Sequence, residues 1–131
     1  MTRRVLLVMN RKMLSDALIA KAVSDARFKM TATRDYTNAA LTAIVVAPEI
    51  AIVEIPESGS WSSAEKCLAI CDGIRKRIHD CKQVILCNEE DTDSCNAAIQ
   101  AKQEGRIDDF LFYDNSLHYL FSKLEALTPK E

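Results

Sequence analysis

Little in this sequence interrupts regular structure: 131 residues hold only three glycines and three prolines. No apolar run approaches the roughly 20 residues needed to cross a bilayer. Seventeen basic residues nearly balance nineteen acidic ones, for a net charge of −2. That balance gives no electrostatic case for nucleic acid or an anionic membrane as the main partner. No P-loop, GxGxxG or nucleophile elbow is present. The opening MTRRVLLVMNRKM is basic and then apolar, as in a signal peptide. But VLLVM is five residues long and Asn10, Arg11 and Lys12 follow at once, so that reading is rejected. Five cysteines, an odd number, with no export signal favour reduced thiols in a cytoplasm over a disulfide framework. Cys67 and Cys71 are four apart, but no second pair answers them. The thiols therefore read as small buried hydrophobes, not metal ligands.

What is present alternates. RRVLLVMN (3–10), FKMTATRD (28–35), IAIVEI (50–55), KQVILCN (82–88) and IDDFLFYD (107–114) read as strands. The second alternates apolar and polar residues, as near an edge; the third is the most apolar, as at a centre. Between and after them lie five helical stretches: 12–25, 37–48, 62–80, 92–105 and 115–130. Leu14, Leu18 and Ala22 mark the first. Cap-type residues open the second and Pro48 stops it. Ser62 and Glu65 form a capping box for the third, whose stripe runs Ala64, Cys67, Leu68, Cys71, Ile74, Ile78. Asp93 is a cap-type residue for the fourth, and Gly105 terminates it. Leu117, Leu120, Phe121, Leu124 and Leu127 line the fifth. Five strand–helix units predict an α/β, doubly wound, five-stranded parallel sheet in the order 2-1-3-4-5, flavodoxin-like, with a site at the carboxyl ends of strands 1 and 3. One domain spans 1–127; residues 128–131 read as a loose tail or the start of a linker.

One stretch poses a question. In IAIVEI five of six residues are apolar, and Glu54 sits among them. With RVLLVMN, QVILCN and GRIDDFLFYD, it makes the chain resemble the receiver domain of bacterial response regulators over nearly its whole length. The resemblance implies where the family's site residues fall. The acidic pair ending strand 1 is met by Met9 and Asn10. The phosphoacceptor aspartate is met by Glu54, 44 residues past Asn10. The strand-4 Thr or Ser is met by Cys87, the strand-5 switch aromatic by Phe110, and the lysine by Tyr113.

The fold-level match is good and the site-level match fails. The family's reaction needs a divalent cation, usually Mg²⁺, held by carboxylates and water. Met9 offers no oxygen and Asn10 only a neutral amide. Tyr113 is uncharged at pH 7 and offsets no phosphoryl charge. Cys87 donates more weakly than a hydroxyl, and Phe110 has no hydroxyl. Glu54 is one methylene too long, and misplacement by an ångström can cost roughly 10²-fold. Glu54 thus reads as the remnant of a phosphoacceptor. Its charge either mimics a phosphorylated aspartate or belongs to a half-exposed carboxylate paired with Arg11.

Other features read as structural. The acids of NEEDTD (88–93) read as a solvated loop before a helix N-terminus, against a displaced cation site. RKR (75–77) with His79 reads as a solvated helix end. Trp61 is either a ligand or partner anchor, or folds down over the third helix. His118 reads as a surface residue. The expected function is a phosphorylation-independent, non-enzymatic signalling module in the cytoplasm, with no cofactor and no metal. It binds a protein partner or a second copy through the fourth helix, fifth strand and fifth helix, and neither nucleic acid nor membrane. The rival is a small-molecule sensor or thiol enzyme in which Asn10, Arg11, Glu54, Cys87 and Tyr113 line one polar cleft and Arg11 activates Cys87.

Overall fold

The structure, a computed structural model, describes residues 2–128; the expected loose tail at 129–131 lies outside them. Five strands form one parallel sheet: β1 (Arg3–Val8), β2 (Phe28–Thr33), β3 (Ile50–Glu54), β4 (Lys82–Cys87) and β5 (Asp109–Phe112). Their order is β2-β1-β3-β4-β5, as expected, with β3 central. Five helices alternate with them: α1 (Lys12–Asp25), α2 (Ala39–Val46), α3 (Ala64–Arg77), α4 (Thr92–Gln103) and α5 (Leu117–Leu127). No helix among the described residues is long and apolar enough to cross a membrane.

Strand side chains alternate between two cores. Val5, Leu7, Ile50, Ile52, Val84, Leu86 and Leu111 meet Leu18 and Ala22 of α1 and Leu120, Phe121 and Leu124 of α5. Leu6, Val8, Ala51, Val53, Ile85 and Cys87 face α2, α3 and α4. Each such Leu or Ile contributes about 1.5–3 kcal/mol when fully buried. All five cysteines lie in or against this second core, and all are free.

The helix ends shift two expected caps. Ser63, not Ser62, caps α3, its hydroxyl accepting from the Lys66 amide at 3.2 Å. Asp91, not Asp93, caps α4 through the Ser94 amide. Neighbouring oxygen-bearing residues compete for the same orphan amides, and backbone geometry selects between them. At α2 the side chain of Asn38 makes no cap bond; it is itself held by Asp35. Gly105 does end α4. With φ +77 it lets the amides of Gly105 and Arg106 return to the carbonyls of Lys102 and Ala101, a Schellman closure. Ala26 and Ala47, ending α1 and α2, also sit at positive φ.

Candidate functional site

Glu54 ends β3 at the carboxyl edge of the sheet and is 1 % exposed. The half-exposed carboxylate expected from sequence is therefore corrected: the charge is buried. The alternation of β3 aims it at the loop between β1 and α1. There its Oε1 accepts from the backbone amides of Asn10 at 2.6 Å and Arg11 at 3.0 Å. Arg11 Nε lies 3.4 Å from Oε2. A carboxylate with two amides and a guanidinium has the partners that burial demands.

Arg11 organises the rest. Its Nη2 pairs with Glu57, and the Asn88 side-chain amide donates to the same Glu57 oxygen at 3.1 Å. The guanidinium carbon lies 4.0 Å from the centre of the Tyr113 ring, a cation–π contact. The Tyr113 hydroxyl donates to the Ile55 carbonyl. Burial, then the charge of Glu54, pushes that phenol well above its ordinary range, so it stays a neutral donor. Tyr36, in the loop after β2, donates to the Glu54 carbonyl at 2.9 Å; burial and Glu54 push its phenol up as well. Sequence reasoning had not singled out Tyr36, Glu57 or Asn88. Glu57 alone carried a local signal, three residues past Glu54 beyond a proline.

The other family-matched positions scatter. Met9 is 1 % exposed and packs in the α1–α5 core. Asn10 contributes its backbone; the residue itself is exposed. Phe110 is half-buried, edge-on to Phe112 with ring centres 5.8 Å apart. Cys87 is fully buried in the α2–α4 core. Its thiol is pushed up to about 12 by burial and by neighbouring Cys95, and its weak bond goes to the Leu111 carbonyl at 3.8 Å. That overturns the expectation of an activated thiol: the groups raising Cys87 are burial, Cys95 and Asp91, and no cation is among them. Nor do the five residues share a cleft. One cleft is lined by Asn10, Arg11, Lys12, Met13, Leu14, Arg34 and Tyr113; a second joins Arg11 and Tyr113 to Glu57, Asn88 and the acidic loop. Neither Glu54 nor Cys87 lines either.

The donor set does not suit the divalent cation the fold family implies. Mg²⁺ requires near-octahedral oxygen ligands, and here a guanidinium already holds the two nearest carboxylates. Among the described residues no three His, Cys, Asp or Glu side chains are grouped to hold a metal. Of the NEEDTD acids, Glu89 and Glu90 border the second cleft, while Asp91 is engaged as the α4 cap; hydrogen bonds from Ser94 hold its carboxyl below the usual range.

Trp61 is half-buried and stacks on Tyr36 at 5.7 Å and 28°, against the α2–α3 side of the core. At the basic end of α3, Lys76, Arg77 and His79 are exposed, as expected of a solvated helix end, and Arg75 is half-buried. Arg75 bonds the Gly105 carbonyl at 2.8 Å and Asp108 at 2.6 Å, tying α3 to the approach of β5. His118 is exposed.

No protein-family model matches the chain, and no curated protein matches it in sequence. Solved structures do. A LuxR-family DNA-binding response regulator from Staphylococcus aureus is 17 % identical with a TM-score of 0.75, covering 95 % of this chain and 98 % of its own. The N-terminal domain of the nisin resistance regulator NsrR, a lantibiotic response regulator, is 14 % identical with a TM-score of 0.77, covering 95 % and 97 %. A structure named as an adenylate cyclase, from Rhodopirellula baltica, is 18 % identical with a TM-score of 0.76, covering 97 % and 87 %. At such identities the likeness speaks to architecture, and on that the sheet order and the comparisons agree: this chain has the receiver fold of response regulators.

Proposed function

We propose that this chain is a signalling domain that works by protein interaction, without phosphorylation and without catalysis. One observation carries the reading: the Arg11 guanidinium lies between Glu54 and Glu57 and stacks on Tyr113. A phosphoryl switch needs a nucleophile free to react and a metal to neutralise the incoming charge. Here Glu54 is buried and bonded, and an internal cation stands beside it. Arg11 supplies permanently the positive charge that a metal would supply on demand. Without a ligand that binds two states differently, nothing drives a transition between them, so the domain rests in one state.

The partner face we propose is the one formed by α4, β5 and α5. Half-buried Phe110 and Phe112 lie there with exposed Ile99 and Tyr119. Lys102 and Lys123 flank them, paired with Asp109 at 3.1 Å and 3.5 Å. Aromatic anchors ringed by charge are the composition of a specific protein interface. Five free thiols suit a reducing compartment, and we place the protein in the cytoplasm. The test is an amide NMR spectrum recorded with and without Mg²⁺ and beryllofluoride. Unchanged resonances for residues 9–11, 54 and 87 are expected; saturable shifts confined to them would refute the reading.

A further inference from the structure

Two pairs of thiols are near neighbours in the core beneath α2, α3 and α4, and they differ in their access to solvent. Cys67 and Cys71 are four apart on α3, and both are fully enclosed. Cys87, at the end of β4, is also fully enclosed, but Cys95, in the first turn of α4, is half-buried. The Cys87 and Cys95 thiols are hydrogen-bonding neighbours. The turn between β4 and α4 brings them together. Cys95 Sγ reaches back to the carbonyl of Asn88, the residue after Cys87, at 3.3 Å, and to that of Glu89 at 3.6 Å. One sulfur of the pair thus meets water while the other waits behind it in the core.

We infer that Cys95 and Cys87 are an oxidisable pair, which a peroxide converts into a disulfide joining β4 to α4. Cys95 is the sulfur that reacts first, since an oxidant reaches a thiol through solvent. Its thiolate attacks the O–O bond of the peroxide, becomes a sulfenic acid and releases one water. The Cys87 sulfur then attacks the sulfenic sulfur. The S–S bond forms, the S–O bond breaks, and the hydroxyl leaves with the Cys87 proton as a second water. The two thiols lose two electrons and the peroxide gains them. Cys87 is a poor first nucleophile, because burial keeps its thiol protonated. As the second it has the advantage of being held against its target.

The bond would move the start of α4. Two sulfurs at hydrogen-bonding distance must close to about 2.05 Å. Cys87 cannot travel far: β4 lies between β3 and β5 in the sheet. Cys95 can, because the residues before it, Glu89, Glu90 and Asp91, form an exposed turn. The first turn of α4 is therefore drawn toward the end of β4. Cys87 pairs in register with Phe112 of β5, and Cys95 and Phe112 pack against the same core. A change there reaches the α4–β5 part of the proposed partner face. That consequence rests on the partner face; formation of the bond does not. A covalent bond holds a second state without any bound ligand, so this input needs neither phosphate nor metal.

The test treats the reduced, folded full chain with about one equivalent of hydrogen peroxide. The protein is then unfolded, alkylated and digested with trypsin. Cys87 and Cys95 fall in one peptide, 83–102, while Cys67 and Cys71 share 67–75 and Cys81 lies in 78–82. Peptide 83–102 is expected to lose two hydrogens and escape alkylation, and dithiothreitol should reverse both; the other two peptides should be fully alkylated. Cys95→Ser should leave Cys87 reduced. Cys87→Ser should leave Cys95 as a sulfenic acid that dimedone traps. Amide resonances of residues 92–95 and 112 should shift in the oxidised wild type. Peptide 83–102 recovered fully alkylated, a disulfide formed within 67–75 or between two chains, or oxidation of Cys87 in Cys95→Ser would each overturn the inference. A disulfide that left those resonances in place would overturn its link to the partner face alone.

Discussion

Removing the Arg11 guanidinium should destabilise the fold by about 2 kcal/mol. Breaking a fully buried ion pair by deleting one partner costs about 3–5 kcal/mol, because the other charge is left uncompensated. Here the loss is smaller for two reasons. The Arg11 side chain is 41 % exposed and its Nε stands 3.4 Å from Glu54, so solvent screens part of the interaction. Glu54 also keeps both backbone amides. Loss of the cation–π contact with Tyr113 adds about 0.5–1 kcal/mol. Arg11→Met retains an apolar stem over the ring and isolates the charge. Urea unfolding should show the loss, and Tm should fall by about 8 °C. Glu54→Gln completes a double-mutant cycle, with an expected coupling of about 1–2 kcal/mol. The reasoning is falsified if Arg11→Met lies within about 0.5 kcal/mol of wild type and the coupling is zero, since the ion pair would then hold nothing in place.

Four further outcomes follow from single residues. Gln83 is fully buried, and its Oε1 has no hydrogen-bond partner among the described residues, so Gln83→Met should raise stability by about 1 kcal/mol in urea titrations. Gly105→Ala should lower it by about 1 kcal/mol, purely through the positive φ, since a Cβ there meets nothing within 4 Å among the described residues. Burial acts to raise the Asp109 carboxyl, but the Phe110 amide and Lys102, then Lys123, outweigh it and hold it below its usual range. A depressed carboxylate stabilises above its unfolded pKa and loses that contribution as pH falls through the folded one. Wild type should therefore exceed Asp109→Asn in stability at neutral pH, and the gap should close as pH falls below about 4. Alkylation of native protein should label Cys95 first: it is partly exposed while the other four are buried. At pH 8 a thiol pushed up to about 12, as at Cys67 and Cys87, is about 10⁻⁴ thiolate.

The fold was legible because its signals are local and repeat. Apolar runs at 50–55 and 82–88 needed no partner to be read as buried strands, and the alternation with helices then limited the sheet order. The caps slipped by one or two residues where Ser62 stands beside Ser63 and Asp91 near Asp93, because the choice is made by backbone angles and not by residue type. The site was harder. Glu54 could be matched to a family position, and its pairing with Arg11 was foreseen, but its burial was not. A carboxylate in an apolar strand reads as half-exposed until its partners are known, and those partners lie 43 and 44 residues away on another strand's loop. Tyr36, Glu57 and Asn88 came from three separate loops brought together by the sheet edge, which no spacing along the chain encodes. Cys87 went the other way: proximity in a family pattern suggested chemistry, while its actual setting is core.

The measurement that bears most directly on the central claim is the intact mass of the protein after incubation with acetyl phosphate and Mg²⁺, with light scattering on the same sample. With Arg11 seated between Glu54 and Glu57, the mass and the assembly state are expected to stay unchanged. A stoichiometric phosphoryl adduct on Glu54, with a shift in assembly, would contradict the account and show that the guanidinium leaves the site open to the chemistry it was taken to replace.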